Sequence, residues 1–171
     1  MKKWAFFSIV LLLLGCGEKH LQERAQRLTP ETTCAMDGMI LMDFAGSKAQ
    51  ILWKDGHRTF YCEAREAFSV WLDPIQKPRI SIFFLQDLGG VPWGAYVDRW
   101  HPAAQMYLVI DSKKAGAMGL SYVPFLNRKD AEAFQSTHGG QLIPLAKITE
   151  KTLEHSEALM RQHPKRYTPI E

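Results

Sequence analysis

The sequence predicts an α+β domain built from two strand-strand-helix-strand units, with a helix after them. Two observations carry this reading. The segments Ala64-Arg65-Glu66-Ala67-Phe68 and Asp130-Ala131-Glu132-Ala133-Phe134 share Glu-Ala-Phe at helical spacing. Each follows a hairpin-like pair of β-type runs and precedes one more strand, so the order of elements repeats along with the short motif.

The chain opens with a leader. Met1-Lys2-Lys3 is a positive start, and Trp4 to Leu14 is an apolar run, long enough for a secretory segment and too short to span a bilayer. It ends in Leu13-Leu14-Gly15-Cys16, which has the form of a bacterial lipoprotein signal. Cys16 is then the lipidation site and the first residue of the mature protein. Several acyl chains on one Cys anchor stably, where a single chain binds only marginally. An ordinary signal peptide with a chance Cys is the competing reading. Removing residues 1–15 from the 171 leaves 156, enough for one domain with a real core. Residues 16–33 are polar, without apolar periodicity, and read as a membrane tether. Residues 34–163 make the folded domain, and 164–171 a tail.

Within the domain, Ile40–Phe44 and Ala49–Lys54 read as strands of a hairpin around Ala45-Gly46-Ser47-Lys48. Asp55-Gly56 is a second turn signal, and Arg58–Tyr61 the next strand. Apolar residues at 64, 67, 68, 71 and 72 predict a helix over 63–72 that stops at Asp73-Pro74. Ile80–Leu85 reads as a central strand, and 86–102 as a long ordered loop rich in Gly, Pro and Trp. Strands follow at 105–110 and 120–125, separated by a loop closing on Met118-Gly119. Asn127 is placed to cap a helix over 128–137, with Gly139 just past its end. Gln141–Leu145 is a last strand, and Thr149–Gln162 a final helix.

Charge narrows the function. Of 21 basic residues, two leave with the leader, so 19 face 18 acidic ones. A near-neutral chain without a basic run offers nothing to a phosphate backbone, which excludes nucleic acid as a partner. The six histidines lack the H-E-x-x-H spacing of a zinc hydrolase. No C-x-x-C pair is present, so a thiol–disulfide enzyme has no support.

The chemistry concentrates in Cys34-Ala35-Met36-Asp37-Gly38-Met39. In extended chain Cys34 and Met36 point the same way, and a turn at Asp37-Gly38 swings Met39 back toward them. A cluster of one thiol and two thioethers is soft and selects copper(I) over zinc, calcium or magnesium. Core packing is the plainer account, since Met fills gaps and free Cys is usually buried and inert. Cys34 and Cys62, in an oxidising compartment, equally suit a disulfide in a structural or adaptor lipoprotein that binds no metal. Cys62 itself, after an aromatic pair on a strand, reads as a buried structural thiol. His57 in a turn and His101 in the long loop are not singled out by spacing. His138 suits a helix C-terminus. Trp93, Tyr96 and Trp100 read as loop packing, with a docking surface for a transporter as the alternative.

Several stretches together resemble the NosL family, lipoprotein copper chaperones of the nitrous oxide reductase assembly system. They are Cys34-Ala-Met-Asp-Gly-Met-Ile-Leu, Lys48-Ala-Gln-Ile-Leu, Asp55-Gly-His-Arg-Thr-Phe-Tyr-Cys62, Met118-Gly119, Asp130-Ala-Glu-Ala-Phe with His138-Gly-Gly140, and the helix start at Ile148-Thr149. They run in order over nearly the whole mature domain. The family signature carries a second Cys before Gly-Met, and here that position is Asp37, so the motif holds one thiolate fewer. The resemblance implies two strand-strand-helix-strand units in one α+β domain and no enzymatic activity. It also implies delivery of copper(I) to the copper–sulfide centre of periplasmic nitrous oxide reductase. Expected partners are that reductase, its ABC-type maturation transporter, and the membrane through the lipid anchor. The implied ligands are Cys34 and Met39 first, with Met36 and Met118 as additions.

Overall fold

The structure, a computed structural model, describes residues 23–167. The expected leader and the expected lipidation site at Cys16 therefore lie outside the described residues. The first unit is β1 (Ala49–Trp53), β2 (Arg58–Tyr61), α1 (Ala64–Leu72) and β3 (Ile80–Gln86), to which β4 (Trp100–Pro102) adds an edge. Next come β5 (Tyr107–Ile110) and a short ribbon of β6 (Ala115–Gly116) and β7 (Gly119–Leu120). The chain continues through β8 (Val123–Phe125), α2 (Arg128–His138) and β9 (Gln141–Pro144), and ends with α3 (Glu150–Gln162).

The strands form two antiparallel sheets, ordered β2-β1-β3-β4 and β8-β5-β9. In each, the first strand of the unit is central and the helix joins its two neighbours. The α+β architecture expected from sequence is thus present. Period-two patterning assigns the faces. In β5, Leu108 and Ile110 enter the main core while Val109 points into a second cluster with Val123, Phe125, Ala131 and Phe134 beneath α2. The main core lies between the first sheet, α1 and α3. Phe68 of α1 sits at its centre, edge-on to Phe83 with ring centroids 5.1 Å apart and near Tyr122 at 5.9 Å.

Helix ends follow the sequence signals. Asn127 Oδ1 accepts from the Lys129 amide at 2.9 Å, and Gly139 takes φ 71° past the end of α2. Thr149 and Thr152 form a reciprocal capping box on α3. Among the described residues no helix is long and apolar enough to cross a membrane.

Five expectations need correction. The hairpin expected between Ile40–Phe44 and Ala49–Lys54 does not form. Leu41–Asp43 is a 3-10 turn, and β1 pairs with β2 across Asp55-Gly56 instead. That tighter turn wins because Asp55 Oδ1 accepts the His57 amide at 3.2 Å and Gly56 takes φ 92°. The long loop contains β4, which pairs with β3 through Leu85 and His101; its Pro102 is tolerated because the strand lies at an edge. The run from Leu120 to Phe125 divides into β7 and β8, with Ser121 and Tyr122 between them. Finally, residues read as tether lie on the domain: Gln26 exchanges two hydrogen bonds with the buried Gln50, and Leu28 is buried. Tyr167, read as tail, is likewise a core residue.

Candidate metal centre

The Cys34–Met39 stretch folds back on itself. Asp37 Oδ1 accepts the Met39 amide at 3.0 Å, an Asx turn, and Gly38 adopts φ 77°, the left-handed geometry that glycine enters without strain. Two backbone bonds close the loop, Cys34 N–H to Met39 O at 2.8 Å and Gly38 N–H to Cys34 O at 2.9 Å. The Ala35 amide donates to Phe60 O at 2.8 Å and fastens the loop to β2. That junction carries Cys34 to the place where β2 ends and α1 begins.

Cys62 and Glu66 stand there, four residues apart around the first turn of α1. The Cys62 amide donates to Cys34 Sγ at 3.5 Å. Glu66 Oε2 accepts from Cys62 Sγ at 3.2 Å and from Cys34 Sγ at 3.8 Å. Both sulfurs and a Glu66 oxygen lie within 4.8 Å of one another, and both cysteines are free thiols. Cys34 is 4% exposed and Cys62 0%. Leu28, Leu41 and Ala117 wall the thiols in, with Met39, Phe44, Phe60, Tyr96 and Trp100 packed around them.

The electrostatics split the two thiols. A hydrogen bond from Cys62 lowers the Cys34 thiol to about 7 against the opposing effect of burial. The same bond, burial and the neighbouring Glu66 push Cys62 far up. Cys34 therefore ionises first and Cys62 keeps the proton. Behind them Lys48 is buried, its Nζ donating to Phe44 O at 2.8 Å and Cys62 O at 3.1 Å. Burial lowers the Lys48 ammonium. Burial also raises Glu63 to about 8, opposed by the charge of Lys48. Glu63 Oε2 accepts from Ser121 at 2.8 Å, while Oε1 lies against the backbone of Gly46 and Gly116, where a Cβ at either would sit within 2 Å of it.

A thiolate-forming cysteine and a second thiol converge beside a methionine-bearing turn as soft donors, with the harder carboxylate of Glu66 next to them. The model of the NosL family matches residues 25–153. The chain belongs to the NosL family. It is 33% identical over 161 residues to the copper-binding lipoprotein NosL of Stutzerimonas stutzeri, covering 88% of this chain and 80% of that protein. The protein of the same name from Achromobacter cycloclastes is 34% identical over 149 residues, covering 84% of this chain and 77% of its own length. The crystal structure of the copper chaperone NosL from Shewanella denitrificans superposes with a TM-score of 0.72 at 30% identity, over 75% of this chain and 97% of that one. These relatives are named for copper binding and chaperoning, not for catalysis.

In this NosL-family chain the residues picked out by sequence divide by position. Met39 packs on the thiol cluster, half-buried. Met36 is 55% exposed at the tip of the turn. Met118 lies at the tip of the β6–β7 ribbon, 39% exposed, next to Ala117 in the cluster wall. Its carbonyl accepts from Arg65 Nη2 at 3.4 Å, which holds the ribbon over the start of α1. Sequence reasoning missed Glu66 and set Cys62 aside. The spacing of the two, i and i+4 across a helix start, was the available signal. His57 instead bonds Asp55 at 2.5 Å and stacks on Trp53. Trp93, Tyr96 and Trp100 all pack against clusters of buried residues.

Proposed function

We propose that this chain is a periplasmic copper(I) chaperone, anchored to the membrane by lipid on Cys16, that supplies copper for the copper–sulfide centre of nitrous oxide reductase. The observation that carries the reading is the ionisable Cys34 thiol held beside Met39 in a closed turn at the domain surface. Cys34 supplies the anionic sulfur and Met39 a neutral one, with Met36 and Met118 as further thioethers at the rim. Such donors suit copper(I), tolerate low coordination number, and permit release by exchange of one ligand at a time. The exposed methionines are the groups an incoming acceptor meets first, and the ABC-type maturation transporter is a partner the family resemblance implies. The names of the relatives support copper and lipid attachment alike.

The test is nitrous oxide reductase purified from cells lacking this chain. The expected enzyme has a copper-poor catalytic centre, restored by the wild-type gene and not by Cys34→Ser. Full copper content at that centre without the chain contradicts the delivery role.

A further inference from the structure

We infer that Cys62 is the second thiolate ligand of the copper(I) site, paired with Cys34 across the ion while Glu66 faces it. This rests on the chaperone reading and adds a ligand that the motif at residues 34–39 does not contain. The geometry comes first. Both sulfurs and the Glu66 oxygen lie within 4.8 Å of one another, and two metal–sulfur bonds of about 2.3 Å reach across at most about 4.6 Å, less when a third ligand bends them. Both sulfurs are thus close enough to bind one soft ion together, with the Glu66 oxygen on the same site.

The surroundings favour the same ligand set. Cys62 follows β2 and precedes α1, a junction that sets its thiol beside Cys34 and Glu66. The apolar wall of Leu28, Leu41 and Ala117 excludes water from a low-coordinate ion. Two thiolates on a monovalent ion leave one negative charge, and the buried Lys48 ammonium lies on the far side, 3.1 Å from the Cys62 carbonyl oxygen. Glu66 accepts from both thiols and orients them toward each other before the ion arrives. Loading is an ion exchange without electron transfer: Cu+ takes the place of the Cys62 thiol proton, which leaves to the buffer, while Cys34 binds as thiolate.

The experiment is X-ray absorption on the copper(I)-loaded full-length protein in detergent, without oxygen, together with copper(I) competition against bicinchoninate. Wild type is expected to show two short copper–thiolate distances. Cys62→Ala is expected to lose one of them and at least about 100-fold in affinity, beyond the roughly 10- to 100-fold typical of groups outside the ligand shell. Cys62→Ser, which keeps the volume, is expected to lose the same distance and serves if the alanine variant melts early. A single short thiolate distance in wild type, or an unchanged sulfur shell with affinity within a few-fold in both variants, overturns the inference and leaves the chaperone reading intact. Failure of wild type to take up copper(I) at all overturns both.

Discussion

The backbone amide of Cys62 points at the sulfur of Cys34 across 3.5 Å, although one residue sits in a turn before the first sheet and the other at the start of a helix. That contact joins the methionine-bearing loop to the helix end, and the second thiol and Glu66 follow from it. The two cysteines are consequently unlike in chemistry, one prepared to ionise and one holding a proton.

Alkylation rates should show that difference. Reaction of apo protein with iodoacetamide, followed by residue-resolved mass spectrometry, is expected to give Cys34 a midpoint near pH 7, because its folded value is lowered to about 7. The thiolate fraction grows as pH rises through that value, so reactivity rises between pH 6 and 8. In Cys62→Ala the largest lowering influence is gone, and the midpoint should move up toward the ordinary ~8.5 of a free Cys. An identical midpoint in the variant would show that Cys62 does not hold the Cys34 thiolate.

Treatment with diamide, which accepts two electrons and two protons from a thiol pair, should link Cys34 to Cys62 intramolecularly. Copper(I) loaded beforehand should block the reaction, and the oxidised protein should bind no copper. A protein isolated already cross-linked, and folded only in that form, would favour the structural lipoprotein over the chaperone. If diamide fails to link the pair, the two sulfurs are not held within reach of each other.

Much of the fold was legible from periodicity and caps. The three helices lie where apolar spacing, Asn127, Thr149 and Gly139 place them, and β1, β3, β5 and β9 coincide with apolar runs. What escaped detection depends on tertiary pairing. The Ile40–Phe44 run has β-type composition, yet Asp55-Gly56 closes a tighter hairpin on β1 and leaves Leu41 to be buried from a 3-10 turn. Trp100–Pro102 has little strand character and becomes a strand because β3 offers a free edge. The turn at Asp37-Gly38 was readable from its residues. From sequence, Cys34 and Cys62 were brought together only as a disulfide alternative, and the approach of Glu66 to both was not readable, since it requires the Ala35–Phe60 backbone bond between distant segments of the chain.

Among the methionines, position sets the expected rank. Cys34→Ser should cost the most copper(I) affinity, since it removes an anionic donor. Met39→Leu should cost less, and Met36→Leu and Met118→Leu least, because their exposed thioethers are replaceable by water or by each other. Leu and Met are close in volume, so each apo variant should melt within about 1.5 kcal/mol of wild type. Should Met36→Leu and Met39→Leu leave competition unchanged while lowering the melt, these methionines serve packing and are not ligands.

The central claim is that this chain selects a soft monovalent ion. Its most direct test is an oxygen-free titration of the purified protein with copper(I) and, separately, zinc(II), each against a chelator of known affinity. The account predicts about one copper(I) per chain, bound far more tightly than zinc, as thiolate and thioether donors require. Equal affinity for the two ions, or zinc bound more tightly, would contradict it.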